Sequence, residues 1–446
     1  MSGTYNATIR RVVVSAWIGN SIEYYDFLLY GLASALVFGP LFFPGASPLT
    51  ATLSSFASFG VGFISRPLGA LFFGNRGDTL GRKNTLLITL GGMGAVTFLI
   101  GCLPSYASIG ALAPALLVIL RFLQGFMVGG EWGGAMLMVV EYAAGKHRGR
   151  LSALSQTGGL TGQLLATGVF IVVTQLPKEA LLSWGWRIPF LLSALLVLPG
   201  LYMRHRLDET PVFRAFKKQQ AINHRQQREE RPVVKVVREQ WRSILLIIIL
   251  RFAESVPFFL ATVFAVSWAT TQLGIASLTI LYIVMFTCLL AYPMHVLFGI
   301  MSDRRGCRQV YIFGALFVAA MAFPFFWLLE SRSLILMTMG YVLLINIGHN
   351  SLNAVQPSFF AGLFYPPVRY SGSSIGAQLG AVVAGGFTPF IAKALSAVYD
   401  NSWTLVAGYV VLTALASAFA AKIAPETVLP IRRNAKGGCR PRFSLA

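Results

Sequence analysis

Twelve runs of mostly apolar residues, nearly all about 20 residues or longer, divide this chain from end to end, at 12–37, 51–74, 84–103, 114–141, 150–174, 187–203, 243–271, 278–301, 310–329, 334–355, 370–395 and 403–422. A helix rises about 1.5 Å per residue, so a run of this length matches the hydrocarbon thickness of a bilayer. Only 12% of the residues are charged, roughly half the share usual in a soluble chain, and 55% are hydrophobic. So much apolar surface needs lipid as its solvent. The expectation is an all-α membrane protein with twelve transmembrane helices.

The formal net charge of +20 raises the question of a nucleic-acid partner. The distribution of the cations argues against one. With a cytoplasmic N-terminus, 29 of the 36 Lys and Arg fall in cytoplasmic segments. Only Lys178, Arg187, Arg332 and Lys393 fall on the opposite side, and Arg66, Arg121 and Arg251 lie within spans. This is the bias that retains basic loops inside the cell, and it places both termini in the cytoplasm. The first apolar run is too long for a cleavable signal and contains Glu23 and Asp26. The cysteines, Cys102, Cys288, Cys307 and Cys439, have neither disulfide-framework nor metal-site spacing.

The longest connection, 204–242, separates six runs from six. The expected organisation is an N-terminal six-helix bundle (1–203), a partly helical cytoplasmic linker (204–242), a C-terminal six-helix bundle (243–423) and a basic cytoplasmic tail (424–446). The stretch 219–231 reads as solvated, and the tail as disordered or touching anionic lipid headgroups. The halves also correspond residue by residue. Arg11 and Glu23 match Arg242 and Glu254 at an offset of 231, and Gly74, Asp78 and Gly81 match Gly299, Asp303 and Gly306 at 225. "LDET" (207–210) resembles "APET" (424–427). A parallel repeat of six helices places two pseudo-symmetric bundles about an axis along the membrane normal, with a solute site between them.

The stretch "GNRGDTLGRKN" (74–84) resembles the loop signature of the major facilitator superfamily, matching at Gly74, Asp78, Gly81, Arg82 and Lys83, with Thr79 where that family usually has Arg. The second copy keeps Asp303, Arg304, Gly306 and Arg308, with Cys307 at another common Arg position, and "RFLQG" (121–125) resembles the fourth-helix signature. The segments "IEYYDFLLYG" (22–31), "GGEWGGA" (129–135), "SWGWRIPF" (183–190) and "RYSG" (369–372) resemble the bacterial metabolite:proton symporter branch, and within it the shikimate transporters. The resemblance implies the major facilitator fold in the inner (plasma) membrane and import of a small polar organic anion with protons. It also implies rocking of two bundles, function as a monomer, and no cofactor beyond the proton gradient. Other carboxylates or zwitterions (2-oxoglutarate, citrate, quinate, proline or betaine) are alternatives. Helix five (152–168) lacks the proline of a typical exporter signature, which favours import over proton-driven export.

Several residues are candidates for that work. Asp78 can accept hydrogen bonds from the amino end of a neighbouring helix, and Arg82 can pair with Glu141. With Asp303, Arg304 and Arg308 they would form a latch that opens when the bundles rock. Retention of topology alone is the plainer alternative, although it needs no Asp or Gly at fixed spacing. Ionisable residues at membrane depth cost at least ~2.5–3.5 kcal/mol each, so Glu23, Asp26, Arg66, Arg121, Glu131, Arg251 and Glu254 are functional candidates. Arg121 is expected near the substrate or proton site, with Arg66 adding positive potential. Asp26 and Glu131 lead as proton carriers, with Glu23 and Glu254 also considered. Glu131 lies about 15 Å along the helix from Arg121 and needs another partner, possible in Arg66. A structural lock is the alternative for Asp26 and Glu254. Asn346, His349, Asn350 and Asn353 follow the spacing of one helix face and read as a cavity wall, or as interhelical hydrogen bonding. Gln156, Gln163 and Gln378 could line the same cavity, and Tyr24, Tyr25 and Tyr30 could gate it. No nucleophile grouping, metal-ligand cluster or phosphate-cradling loop is present in the spans, which argues against an enzyme or an ATP-driven pump. A non-transporting receptor would need a larger output domain than the linker or the tail.

Overall fold

The structure is a computed structural model and describes residues 2–45, 48–143, 147–209, 232–365, 368–398 and 402–425. Most of the linker (210–231) and of the tail (426–446), including the solvated stretch expected at 219–231, lies outside the described residues.

Each apolar run becomes one long helix. The N-terminal six are α1 (Ser2–Leu36), α2 (Pro48–Leu80), α3 (Arg82–Gly101), α4 (Leu112–Tyr142), α5 (Arg148–Thr174) and α6 (Arg187–His205). The C-terminal six are α7 (Trp241–Thr270), α8 (Ser277–Arg305), α9 (Cys307–Glu330), α10 (Leu334–Gly362), α11 (Arg369–Val398) and α12 (Thr404–Ile423). Eleven of them are long and apolar enough to cross a membrane. The remaining one, α1, is 35 residues long and is made less apolar by Glu23, Asp26 and its small polar residues. Helix α6 reaches two residues further than expected, so Arg204 and His205 belong to it.

Among the described residues, four π-helical stretches interrupt this regularity: Leu181–Gly185 before α6, Leu260–Phe264 in α7, Val342–His349 in α10 and Ala381–Gly386 in α11. Prolines inside α2, α6, α7, α8, α9 and α10 are accommodated without breaking the helices, as the bilayer interior permits where neighbours re-satisfy the backbone.

Glycine sets two of the closest helix contacts. A Cβ on Gly125 would run into the Gly62 carbonyl, where α4 crosses α2, and one on Gly162 would meet the Ser21 carbonyl, where α5 crosses α1. Close backbone approach is how helices associate when lipid removes the hydrophobic drive between them. The two sharp turns of the repeated loop are also glycines. Gly81 and Gly306, immediately before α3 and α9, have φ of +116° and +89°, a region costly for any residue with a Cβ.

Between the bundles, α2 packs on α11 and α5 on α8. The connection after α6 is pinned to the N-terminal bundle: Glu209 accepts from the Lys83 amide (3.2 Å) at the start of α3, and the Tyr142 hydroxyl donates to the Asp208 carbonyl (2.8 Å). A short helix, Pro232–Glu239, then leads into α7 and packs on α2 and α11.

Candidate functional site

The two bundles line a cavity midway along the helices. Each bundle contributes one acid and one arginine to its wall. From the N-terminal bundle come Glu23 on α1 and Arg66 on α2, 4.0 Å apart. From the C-terminal bundle come Arg251 and Glu254, one turn apart on α7 and 3.0 Å from each other. Glu23 and Glu254 are the residues matched by the internal repeat, and here they share one chamber.

The two pairs differ in how firmly they are held. Glu254 accepts from the Ser255 hydroxyl (2.8 Å) and the Asn353 amide (3.1 Å), and Arg251 donates to Gln356 Oε1 (2.8 Å). The Glu23–Arg66 contact is loose, and both Glu23 Oε2 and Arg66 Nε are buried without a hydrogen-bond partner. The Arg66 guanidinium lies over the rings of Phe63 (4.8 Å) and Phe27 (5.2 Å). A mostly buried cation with a spare donor, cradled by aromatic faces, has the chemistry to accept an anion.

The rest of the wall is part aromatic and part polar: Tyr24, Trp132, Phe258 and Phe259, with His349, Asn353 and Gln378. A second, smaller cavity, lined by Gln163, Asn350 and Cys288 among others, lies behind the stacked rings of Phe258 and His349. Among the described residues, no group of three or more His, Cys, Asp or Glu could hold a metal ion.

Other candidates lie outside this chamber. Arg121 is buried inside the N-terminal bundle, its guanidinium 4.3 Å from the centre of the Tyr30 ring and 4.9 Å from that of Phe59. It donates to Gln124 (2.5 Å), Gln124 donates to the Thr97 hydroxyl (2.7 Å), and Thr97 donates to Asp26 (2.8 Å). Ser193 donates to the other Asp26 oxygen (2.8 Å). Asp26 and Arg121 thus form the two ends of one buried hydrogen-bonded chain behind the cavity. Tyr25 points away, donating to the Pro189 carbonyl (2.8 Å), and Tyr30 is fully buried against Ser58.

Glu131 departs from the expectation. Its partner is Arg204, not Arg66. Arg204 reaches from the last turn of α6 to both carboxylate oxygens, while the Thr89 hydroxyl donates to one of them (2.8 Å). Arg204 also donates to the Leu86 carbonyl (2.8 Å). With both side chains buried, truncating one strands the other charge, and Glu131→Ala is expected to destabilise the fold by ~3–5 kcal/mol. A fall of several degrees in the melting temperature of detergent-purified protein checks this, whereas an unchanged melt would mean that the pair is solvated.

The stripe on α10 also divides. His349 lines both cavities, Asn353 the main one, Asn350 the second, and Asn346 neither, its side-chain Oδ1 instead accepting from the Asn350 amide (2.9 Å). The π-helical stretch Val342–His349 is the reason: its wider turns shift the spacing that would put all four on one face. Gln156 lies just beyond Asn353 and donates to it across the bundle interface (3.4 Å).

The repeated motifs begin in the last turns of α2 and α8, which run past the expected loop starts, and meet the opposite bundle in equivalent ways. Asp78 accepts from the amide (2.9 Å) and the hydroxyl (2.8 Å) of Ser371 at the start of α11. Asp303 accepts from the amides of Gly149 (2.7 Å) and Arg150 (3.0 Å) at the start of α5. Arg82 lies 3.0 Å from Glu141 and 3.8 Å from Asp78. Tyr370 donates to the Gly130 carbonyl (2.6 Å), and the Ser152 and Ser358 hydroxyls are 3.0 Å apart. The cavity is therefore closed off at the end that carries these loops. Arg304 is exposed, and Arg308 donates to the Lys422 carbonyl within its own bundle.

Two repeated six-helix bundles around a central polar cavity define a multi-pass membrane transporter, and comparison with known proteins gives the same class. The chain belongs to the sugar (and other) transporter family of the major facilitator superfamily, whose family model matches residues 12–430. It is 41% identical to the shikimate transporter of Escherichia coli strain K12 over 94% of this chain and 95% of that one. It is 35% identical to the proline/betaine transporter of Salmonella typhimurium, over 86% and 77% of the two chains. Its fold matches that of the proton:xylose symporter XylE bound to 6-bromo-6-deoxy-D-glucose, with a TM-score of 0.73 and 17% identity over 95% of this chain and 97% of that one. These relatives are transporters rather than enzymes, and the chain is a multi-pass protein of the bacterial inner membrane.

Proposed function

We propose that this chain is a proton-coupled symporter, with both termini cytoplasmic, that imports a small polar organic acid as a monomer, with shikimate the favoured substrate. The observation that carries the reading is Arg66: a mostly buried guanidinium lining the cavity between the bundles, and only loosely satisfied by Glu23 at 4.0 Å. A substrate carboxylate can take the place of Glu23 on this cation. Glu23 then loses its counter-charge in a water-poor site and binds a proton, which links the two flows. Asn353, Gln378 and His349 are placed for hydroxyl groups, and Tyr24, Phe27 and Phe258 for the faces of a carbon ring. The 41% identical shikimate transporter supports the choice of substrate. The Asp26–Arg121 chain is the reserve proton site, near the cavity but walled off from the solute. The proton gradient, not a bound cofactor, supplies the drive.

The aromatic wall with Glu254 would also suit a quaternary or secondary amine, so proline and betaine compete. Uptake into proteoliposomes separates these readings. Labelled shikimate should accumulate when the outside is acidic and stop when an uncoupler collapses the gradient. Betaine uptake without shikimate uptake would replace the substrate, and accumulation without a gradient would remove the coupling.

A further inference from the structure

His295 sits in the middle of α8, within the apolar run "AYPMHVLFGI", and its side chain is buried. A lone histidine there is ordinarily a neutral member of the core with one ring nitrogen donating. The surroundings here are different, because each ring nitrogen faces an oxygen. Nδ1 lies 3.0 Å from the Ala291 carbonyl, and Nε2 lies 3.2 Å from Asn353 Oδ1 on α10.

The Asn353 amide is not free to turn over and supply a donor instead. Its nitrogen donates to the Glu254 carboxylate (3.1 Å), and the reversed orientation would set two oxygens against each other. Its Oδ1 therefore faces both His295 and the Gln156 amide, which donates from α5 of the opposite bundle (3.4 Å). A neutral imidazole has one N–H and satisfies one of these two oxygens. An imidazolium satisfies both.

We propose that His295 is a proton-binding site on the C-terminal bundle, and that its occupancy controls the Gln156–Asn353 hydrogen bond joining the two bundles. The proposal rests on the proton coupling proposed above and adds a second station to it. With the proton bound, Nε2–H donates to Asn353, and the chain Gln156–Asn353–Glu254 is complete. When the Nε2 proton leaves, Nδ1–H stays on the immobile Ala291 carbonyl, and the Nε2 lone pair opposes Asn353 Oδ1. With the amide nitrogen held by Glu254, Asn353 Oδ1 can only shift away from Nε2 without a flip, and that shift releases Gln156. The interface loosens between the cavity and the loop-bearing end, which is where a proton must leave during import.

The ionisable neighbours are few. On α10, His349 bonds the Glu254 carbonyl (2.8 Å), and on α7 Glu254 is paired with Arg251. Tyr311 on α9 donates to the Leu250 carbonyl (2.6 Å). On α8 itself Cys288 is buried, and the Tyr292 hydroxyl is 2.7 Å from Thr161. Helix α5 has no ionisable side chain beyond Arg150.

The test needs no substrate. In full-length protein in nanodiscs, with Cys102 and Cys439 replaced by serine, spin labels at the exposed positions Lys178 and Ser331 report the separation of the bundles at the outer end. Between about pH 3.5 and pH 8, a range that reaches low enough to protonate a buried imidazole, the ratio of the widely separated to the closely separated population should fall about tenfold, as expected for losing one or two buried hydrogen bonds. H295Q presents an amide N–H at every pH and should stay widely separated throughout. H295L has no donor and should show the high-pH distribution at low pH. If H295L does not fold, H295Q alone decides. A pH shift retained in H295Q, or none in the wild type, overturns the proposal. Failure of shikimate uptake with this titration intact would count against the substrate reading alone.

Discussion

Arg66→Gln is expected to lower uptake of an organic acid by about 100-fold or more, through weakened binding, while the protein remains folded. Glutamine keeps a hydrogen-bond donor at the position but removes the charge. A charge-assisted bond to a carboxylate contributes ~1.5–3 kcal/mol, and a guanidinium can make two of them. The variant also leaves Glu23 without its counter-ion, so the pair loses both the anion site and the group whose protonation is to be linked to it. Equilibrium binding of labelled shikimate to purified protein measures the loss directly. Arg121→Gln is the matched control. That cation is bonded to Gln124 behind the Tyr30 and Phe59 rings, so its loss should leave ligand affinity within about threefold and uncouple uptake from the gradient. If Arg121→Gln abolished binding and Arg66→Gln did not, the anion site would have to be moved.

The second large effect concerns the loops. Asp78→Asn combined with Asp303→Asn should collapse transport with little loss of folded protein, leaving the bundles open at the end those residues now hold shut. Each carboxylate accepts two hydrogen bonds at the start of a helix in the other bundle, where the unpaired amides and the helix dipole favour an anion. Asparagine is similar in shape but neutral: at Asp303, whose two oxygens each accept one amide, it also sets a donor against an amide, whereas at Asp78, where one oxygen accepts both bonds, the loss is that of the charge. A loss of about 2 kcal/mol at each site would move the balance of states by roughly a thousandfold when both are changed. Alkylation of a cysteine placed at Ser152, whose hydroxyl now touches Ser358 across the interface, reports the change: fast in the double variant and slow in the parent. A slow reaction in both would mean that the other contacts at this end are enough to keep it shut.

The helices and the repeated loops could be read from the chain because each is a local signal. A run of apolar residues declares a span wherever it occurs, and the Asp78 and Asp303 loops carry their spacing within ten residues. What escaped was set by partners far apart in the chain. Arg204 looked like the first cation of a solvated linker, and only its contact with Glu131 makes it a buried group at the end of α6. Thr97, Ser193 and Gln124 are unremarkable in an apolar run until they converge on Asp26 and Arg121. Regular helical spacing puts Asn346 on the face of His349 and Asn353, and the wider backbone through Val342–His349 turns it from the cavity they line. Arg251 was readable as an ionisable residue at membrane depth, but its role as the counterpart of Arg66 depends on how the two bundles meet.

The widened turns of α7, α10 and α11 have one thing in common beyond their rarity. Given the chain direction of each helix, Leu260–Phe264, Val342–His349 and Ala381–Gly386 all lie at or beyond the level of the cavity, toward the mouth away from the repeated loops. A stretch of this kind has looser backbone bonding than the regular helix on either side. Each of the three outer helix tips can therefore tilt on its own pivot, as fingers bend at the knuckle. The mouth on that side can narrow over a solute while the N-terminal half and the sealed far end stay still.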